Sequence, residues 1–253
     1  MKYQHFIVFD IETVAEAWDS FDEFQQEYLL RGAQTDEDRD KKRRELALSP
    51  MTSRVVCIGI AVMQWSGADN DTAETLKEGV LILDPTLRGT AKRRQTLSTG
   101  VSAVFSDEAQ VLGGFWNIMK TYHDTAHIVT FNGIEFDAPF LMLRSAVCGV
   151  RPSRNLTGGK PWELKERHID LQKELTLHAF GSGNSGATRK YNFDFYARVF
   201  GIESPKSQGV HGGNVAELFA EGRLIEIAEY CMRDVTATWQ LFRSWHKYLH
   251  FGE

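Results

Sequence analysis

The stretch Phe6-Ile7-Val8-Phe9-Asp10-Ile11-Glu12-Thr13 sets the architecture. From Phe6 to Ile11 it is an apolar run broken by one acid, the pattern of a strand covered on both faces, so helices are expected on either side of its sheet. Period-two alternation turns Asp10 and Glu12 to the same face of that strand. Two carboxylates at the end of a buried strand need a reason to be there.

Working outward, residues 15–49 are first aromatic and acidic, with Trp18, Phe21, Phe24 and Tyr28, then densely charged from Asp36 to Glu45. The charge run is expected to be a solvated helix or loop face. Strands are predicted over Arg54 to Gln64 and over Val80 to Leu83, the latter ending in the turn signal Asp84-Pro85. Residues 86–101 carry Arg88, Lys92, Arg93 and Arg94 among Thr, Ser and Gly, the composition of a basic loop. From Ser106, a predicted cap, Val111, Leu112, Phe115, Ile118, Met119 and Tyr122 recur at helical spacing. His127 to Phe131 reads as a strand that leads through Asn132-Gly133 into a helix near Asp137. A short strand over Arg167 to Leu171, a Gly/Ser loop at 181–186 and helices through much of 191–249 complete the order. The expected fold is α/β: a mixed sheet flanked by helices. No boundary divides it, so residues 1–253 are expected to form a single domain with insertions near 15–49 and 86–101.

Composition excludes several classes. No apolar run approaches the ~18 residues of a membrane helix, and the N-terminus reaches Asp10 too soon for a secretory signal. Cys57, Cys148 and Cys231 are an odd number without a Cys-x-x-Cys pair, which argues against a disulfide framework or thiolate zinc site; a reducing cytoplasm is the expected compartment. The net charge of −5 is a weak argument against a polyanionic partner, because local arrangement decides a binding site.

Acids recur inside apolar patterning in two further places. Asp137 falls where a strand-to-helix turn meets a hydrophobic helix. Asp234 falls on the helical stripe of Ile227, Cys231, Thr238, Leu241 and Trp245. Burying one unpaired carboxylate costs several kcal/mol or neutralises it, so several together call for a compensating charge. Hard oxygen donors suit Mg²⁺ or Mn²⁺. Tyr230 lies one helical turn before Asp234 on the same face.

Phe-Asp-Ile-Glu-Thr at 9–13, Asn-Gly-x-x-Phe-Asp-x-Pro-x-Leu at 132–141 and Tyr-Cys-x-x-Asp-Val-x-x-Thr at 230–238 resemble, in order, the three exonuclease motifs of the DEDDy 3′–5′ exonucleases. The nearest likeness is to stand-alone proteins similar to the proofreading domain of family-B DNA polymerases. The sister class would carry histidine where this chain has Glu229. The resemblance implies a ribonuclease H-like fold and two-metal hydrolysis of single-stranded or frayed DNA from the 3′ end. It implies two Mg²⁺ or Mn²⁺ ions on Asp10, Glu12, Asp137 and Asp234, with Tyr230 orienting the nucleophile. Thr13, Asn132 and Phe136 are the implied substrate contacts. DNA is preferred to RNA as the expected nucleic-acid partner, and proofreading would need a separate polymerase or repair partner.

Two alternatives stay open: an RNA 3′–5′ exonuclease, and an inactive nucleic-acid-binding module. A haloacid-dehalogenase-type phosphatase is disfavoured, because Glu12 replaces its second aspartate. His168 and His211 are expected to be hydrogen-bonded or exposed histidines, and Cys231 to be core filler.

Overall fold

The computed structural model describes residues 4–67, 72–122, 126–158, 167–178 and 186–251, without the side chains of 207 and 208. Strand β1 (Gln4–Ala15) lies near the middle of a seven-stranded mixed sheet. On one side it pairs antiparallel with β2 (Ser53–Trp65), which pairs antiparallel with β3 (Ala73–Leu83). Strands β4 (Arg93–Thr96) and β5 (Ser102–Ser106) extend that side, β5 running parallel to β3. On the other side β6 (Ala126–Thr130) and β7 (His168–Asp170) run parallel to β1 and to each other respectively. The spatial order is β4-β5-β3-β2-β1-β6-β7. Phe6, Ile7, Val8 and Phe9 are all buried, as two-sided cover of β1 requires.

Helices α1 (Glu23–Leu29) and α2 (Asp36–Glu45) follow β1 and bury no residue. Helices α3 (Glu108–Thr121) and α4 (Asp137–Val147) follow β5 and β6. Short helices α5 (Leu171–Leu175), α6 (Phe193–Val199) and α7 (Val215–Ala220) lead to the long α8 (Leu224–Leu249). Helix α8 buries a full stripe, from Ile227 through Cys231 and Val235 to Phe242 and Trp245.

Two sequence expectations are corrected. Residues 86–101 are not simply a loop: Arg93–Thr96 form an edge strand on β5, a strand that was not anticipated either. All four β4 side chains are exposed, so its backbone ladder leaves no period-two trace in the sequence. The α3 cap is Asp107, whose side chain accepts from the Gln110 amide at 2.9 Å. Ser106 instead ends β5, where its carbonyl accepts from the Asp84 amide. The predicted Gly/Ser loop at 181–186 lies outside the described residues except for Gly186.

Candidate active site

Asp10 and Glu12 leave the same side of β1, opposite Gly59 and Cys57 of β2, and the ladder slips one residue immediately after Glu12. Helix α8 crosses this point very closely. The Gly59 amide donates to Cys231 Sγ at 3.1 Å, and a Cβ on Gly59 would stand 3.0 Å from both Cys231 Sγ and Val235 Cγ2. That close approach brings Asp234 to the strand: carboxylate oxygens of Asp10, Glu12 and Asp234 lie within 4.8 Å of one another.

Asp137 arrives from the opposite side, as the first residue of α4. Its Oδ1 accepts from the Ile11 amide at 3.2 Å, and it lines the same cleft as the other three acids. The turn that delivers it rests on Asp170, whose carboxylate accepts from the amides of Asn132, Ile134 and Gln172 at 2.9, 3.0 and 3.1 Å. Asn132 adopts a left-handed φ of 62°, a conformation that asparagine tolerates better than most residues. Gly133 is required for space, since a Cβ there would meet Thr130 Oγ1 at 2.3 Å.

Burial, followed by the neighbouring carboxylates, pushes Asp10 and Glu12 well above the ordinary range. Burial likewise raises Asp137 and Asp234 to about 7, against partial relief from backbone amides at Asp137 and from Tyr230 at Asp234. The Tyr230 hydroxyl is bonded to Asp234, and burial together with the acid charges drives its pKa upward. Tyr230 is therefore held as a neutral phenol, a donor rather than a base. This donor set fits a divalent cation: all oxygen, several negative charges, little water, and destabilised until a positive charge arrives.

The acids floor a cleft of about 370 Å³ whose walls include Asn132 and Phe136 as well as Tyr230. Thr13 is placed differently. Its hydroxyl donates to the Ala47 carbonyl at 2.7 Å and it is absent from the cleft lining, as strand alternation requires of the residue next to Glu12. His168 is buried and bonded to Thr130 Oγ1 at 2.8 Å; burial lowers its pKa to about 3. His211 is exposed and accepts from the Gly213 amide, yet it also lines the cleft. Glu229 is engaged elsewhere, accepting from the Ser98 amide and hydroxyl.

Sequence reasoning missed Lys206, Asn192 and Asp194, which line the cleft as well. Lys206 lies close enough to help stabilise the ionised form of Asp234. Asn192 caps α6, Asp194 lies in its first turn and Lys206 in a short 3-10 helix, elements too short to show a hydrophobic period. Asp170 was inside a predicted strand, and an acid in that apolar setting was the one available signal.

Residues 88–250 match a family described as predicted 3′–5′ exonucleases related to the exonuclease domain of PolB. The chain belongs to this family. The chain is 28% identical over 154 residues to a DNA polymerase of Pyrococcus glycovorans, a match covering 56% of the chain and 18% of the polymerase. Its fold resembles that of the family B DNA polymerase from Pyrobaculum calidifontis, with a TM-score of 0.52, 19% identity and coverage of 96% of this chain and 24% of the other. The chain thus spans under a quarter of either polymerase. Its α/β, ribonuclease H-like architecture agrees with that likeness. No described helix is long and apolar enough to cross a membrane.

Proposed function

We propose that the chain is a metal-dependent 3′–5′ exonuclease of the DEDDy type, acting on single-stranded or frayed DNA. The supporting observation is the convergence of Asp10, Glu12 and Asp234 within 4.8 Å in the cleft that Asp137 and Tyr230 also line. Asp10, Glu12, Asp137 and Asp234 would hold two Mg²⁺ or Mn²⁺ ions, which when bound supply an activated water and charge neutralisation for the leaving 3′ oxygen. Tyr230, kept protonated, donates to Asp234 and fixes that carboxylate while orienting the nucleophile. Asn132 and Phe136 receive the terminal nucleotide, the amide by hydrogen bonding and the ring by packing on base or sugar. Lys206 faces the acids with a charge that matches the scissile phosphate. Any proofreading role is exercised with a separate polymerase or repair partner.

Incubation of the protein with 5′-labelled DNA and RNA oligomers, in Mg²⁺, Mn²⁺ or chelator, tests the whole reading. The expected result is a ladder shortening from the 3′ end of DNA, absent with chelator and absent in Asp10→Asn. A preference for RNA would replace the substrate. Binding without cleavage under every condition would make the chain an inactive binding module, and a labelled mononucleotide would reverse the polarity.

A further inference from the structure

Beside the cleft, at the start of α6, the Tyr191 and Phe195 rings stack in parallel, with centroids 4.2 Å apart and planes 9° from parallel. The Arg189 guanidinium lies 4.9 Å from the Tyr191 ring centre, so three flat groups form one column. The column is anchored from below. Buried Tyr196 meets Tyr191 edge-on at 5.9 Å, and its hydroxyl donates to the Arg189 carbonyl at 3.3 Å. Tyr196 in turn packs on Phe131 of the cleft wall. Despite this anchoring, Phe195 remains 47% exposed, and Val199, one turn along the same helix face, is 67% exposed.

An ordered aromatic column with a solvated end is unusual for a purely structural cluster, because the apolar faces gain nothing by being presented to water. Charge identifies what covers it. Residues 186–200 carry Arg189, Lys190 and Arg198 against Asp194. Arg198 pairs with Asp194 at 3.1 Å and Lys190 lies 3.8 Å from Glu135. Arg189, beside the stacked rings, forms no ion pair among the described residues and is the cation that sets the sign of this surface. Phe24 and Tyr28 on α1, also exposed, sit among Asp22, Glu23 and Glu27 and are electrostatically wrong for a polyanion, while exposed Tyr248 and Phe251 lie at and just past the far end of α8 and are not part of the cleft lining. Continuity with the cleft is direct, since Asn192, Phe193 and Asp194 line it between the two stacked residues.

We propose that Phe195, Tyr191 and Arg189 form a stacking platform for unpaired nucleobases lying just 5′ of the terminal nucleotide, with Arg189 and Lys190 meeting the backbone phosphates. The platform rests on the exonuclease function proposed above and assigns the grip on its unpaired strand to named side chains outside the acid cluster. Every base offers a π face, so it would be tolerant of sequence.

The test uses 5′-fluorescein-labelled dT12, a version with abasic residues at the second to fourth positions from the 3′ end, and a blunt duplex. Anisotropy is measured on the full chain in EDTA to prevent turnover. Phe195→Leu keeps an apolar side chain at an exposed site and removes only the π face. It is expected to weaken dT12 binding about tenfold, equivalent to about 1.4 kcal/mol, while leaving duplex binding unchanged; Phe195→Trp should keep wild-type affinity. Abasic residues should weaken the wild type by a similar factor and Phe195→Leu hardly at all. Arg189→Gln should lower the slope of log affinity against log salt by about one. With divalent ion present, Phe195→Leu should raise KM and spare kcat. Wild-type dT12 affinity in Phe195→Leu, or a full abasic penalty in that variant, overturns the platform even if the oligomer is degraded normally. Binding that follows this pattern without any degradation would instead overturn the catalytic reading and leave the platform standing.

Discussion

Asp137 and Asp234 titrate near 7 and Asp10 and Glu12 well above their usual range because burial and mutual repulsion disfavour their charged forms. The folded state therefore holds protons that the unfolded chain releases near pH 4. Linkage makes this contribution fully present below the unfolded carboxylate range and progressively lost as pH rises through 7. His168 acts in the opposite direction, its folded pKa lowered to about 3, so its contribution disappears as pH falls below about 6.5. The window from pH 6.5 to 8 isolates the acids. Metal-free protein should show a falling Tm across it, and saturating Mg²⁺ or Mn²⁺ should restore Tm, more at pH 8 than at pH 6.5. A metal-free Tm that is flat or rising over that window, or no cation effect, would contradict a metal cluster. Tyr230 is tested by removing its hydroxyl alone. Tyr230→Phe should cost about 10- to 100-fold in turnover or metal affinity, measured by titrating the ion against initial rate, with the fold unchanged by circular dichroism.

At the scale of elements, the site exists because α8 approaches β2 closely at Gly59. Gly59→Val inserts carbon where Cys231 Sγ and Val235 Cγ2 already stand, and overpacking of this kind costs about 1–3 kcal/mol. Its activity loss should exceed what the lower urea midpoint explains, since displacement of α8 moves Asp234 from Asp10 and Glu12. Adding Cys231→Ala should recover part of both quantities; no recovery in the double variant would place the fault elsewhere. The elements themselves were legible unevenly. β1, α3 and α8 announce themselves through apolar runs and helical stripes that bury against one another. β4 and β5 do not, because one is an exposed edge and the other only a few residues long. The register slip after Glu12 was also invisible, because it comes from strand pairing and no residue type encodes it, whereas the turning of Thr13 away from Asp10 and Glu12 follows from strand alternation.

For the molecule as a whole, buried Arg144 ties the layers together. Its guanidinium donates to both oxygens of Glu108 at the start of α3, at 2.7 and 2.8 Å, and to Glu16 beyond the end of β1 at 3.0 Å. Arg144→Ala leaves the Glu108 carboxylate with little solvent and no countercharge, and such losses run to about 3–5 kcal/mol. A urea midpoint within error of wild type would show that the tie carries no stability. Sequence alone determined the α/β class, the four acids and Tyr230 as candidates, because burial imposes periodicity and an acid that breaks that periodicity is conspicuous one residue at a time. Tertiary structure alone decided that Asp10, Glu12 and Asp234 share a few ångströms and that Lys206 stands at the same cleft. Those facts depend on distances between segments far apart in the chain, set by close helix–strand approach and by turns, and neither leaves a local pattern to read.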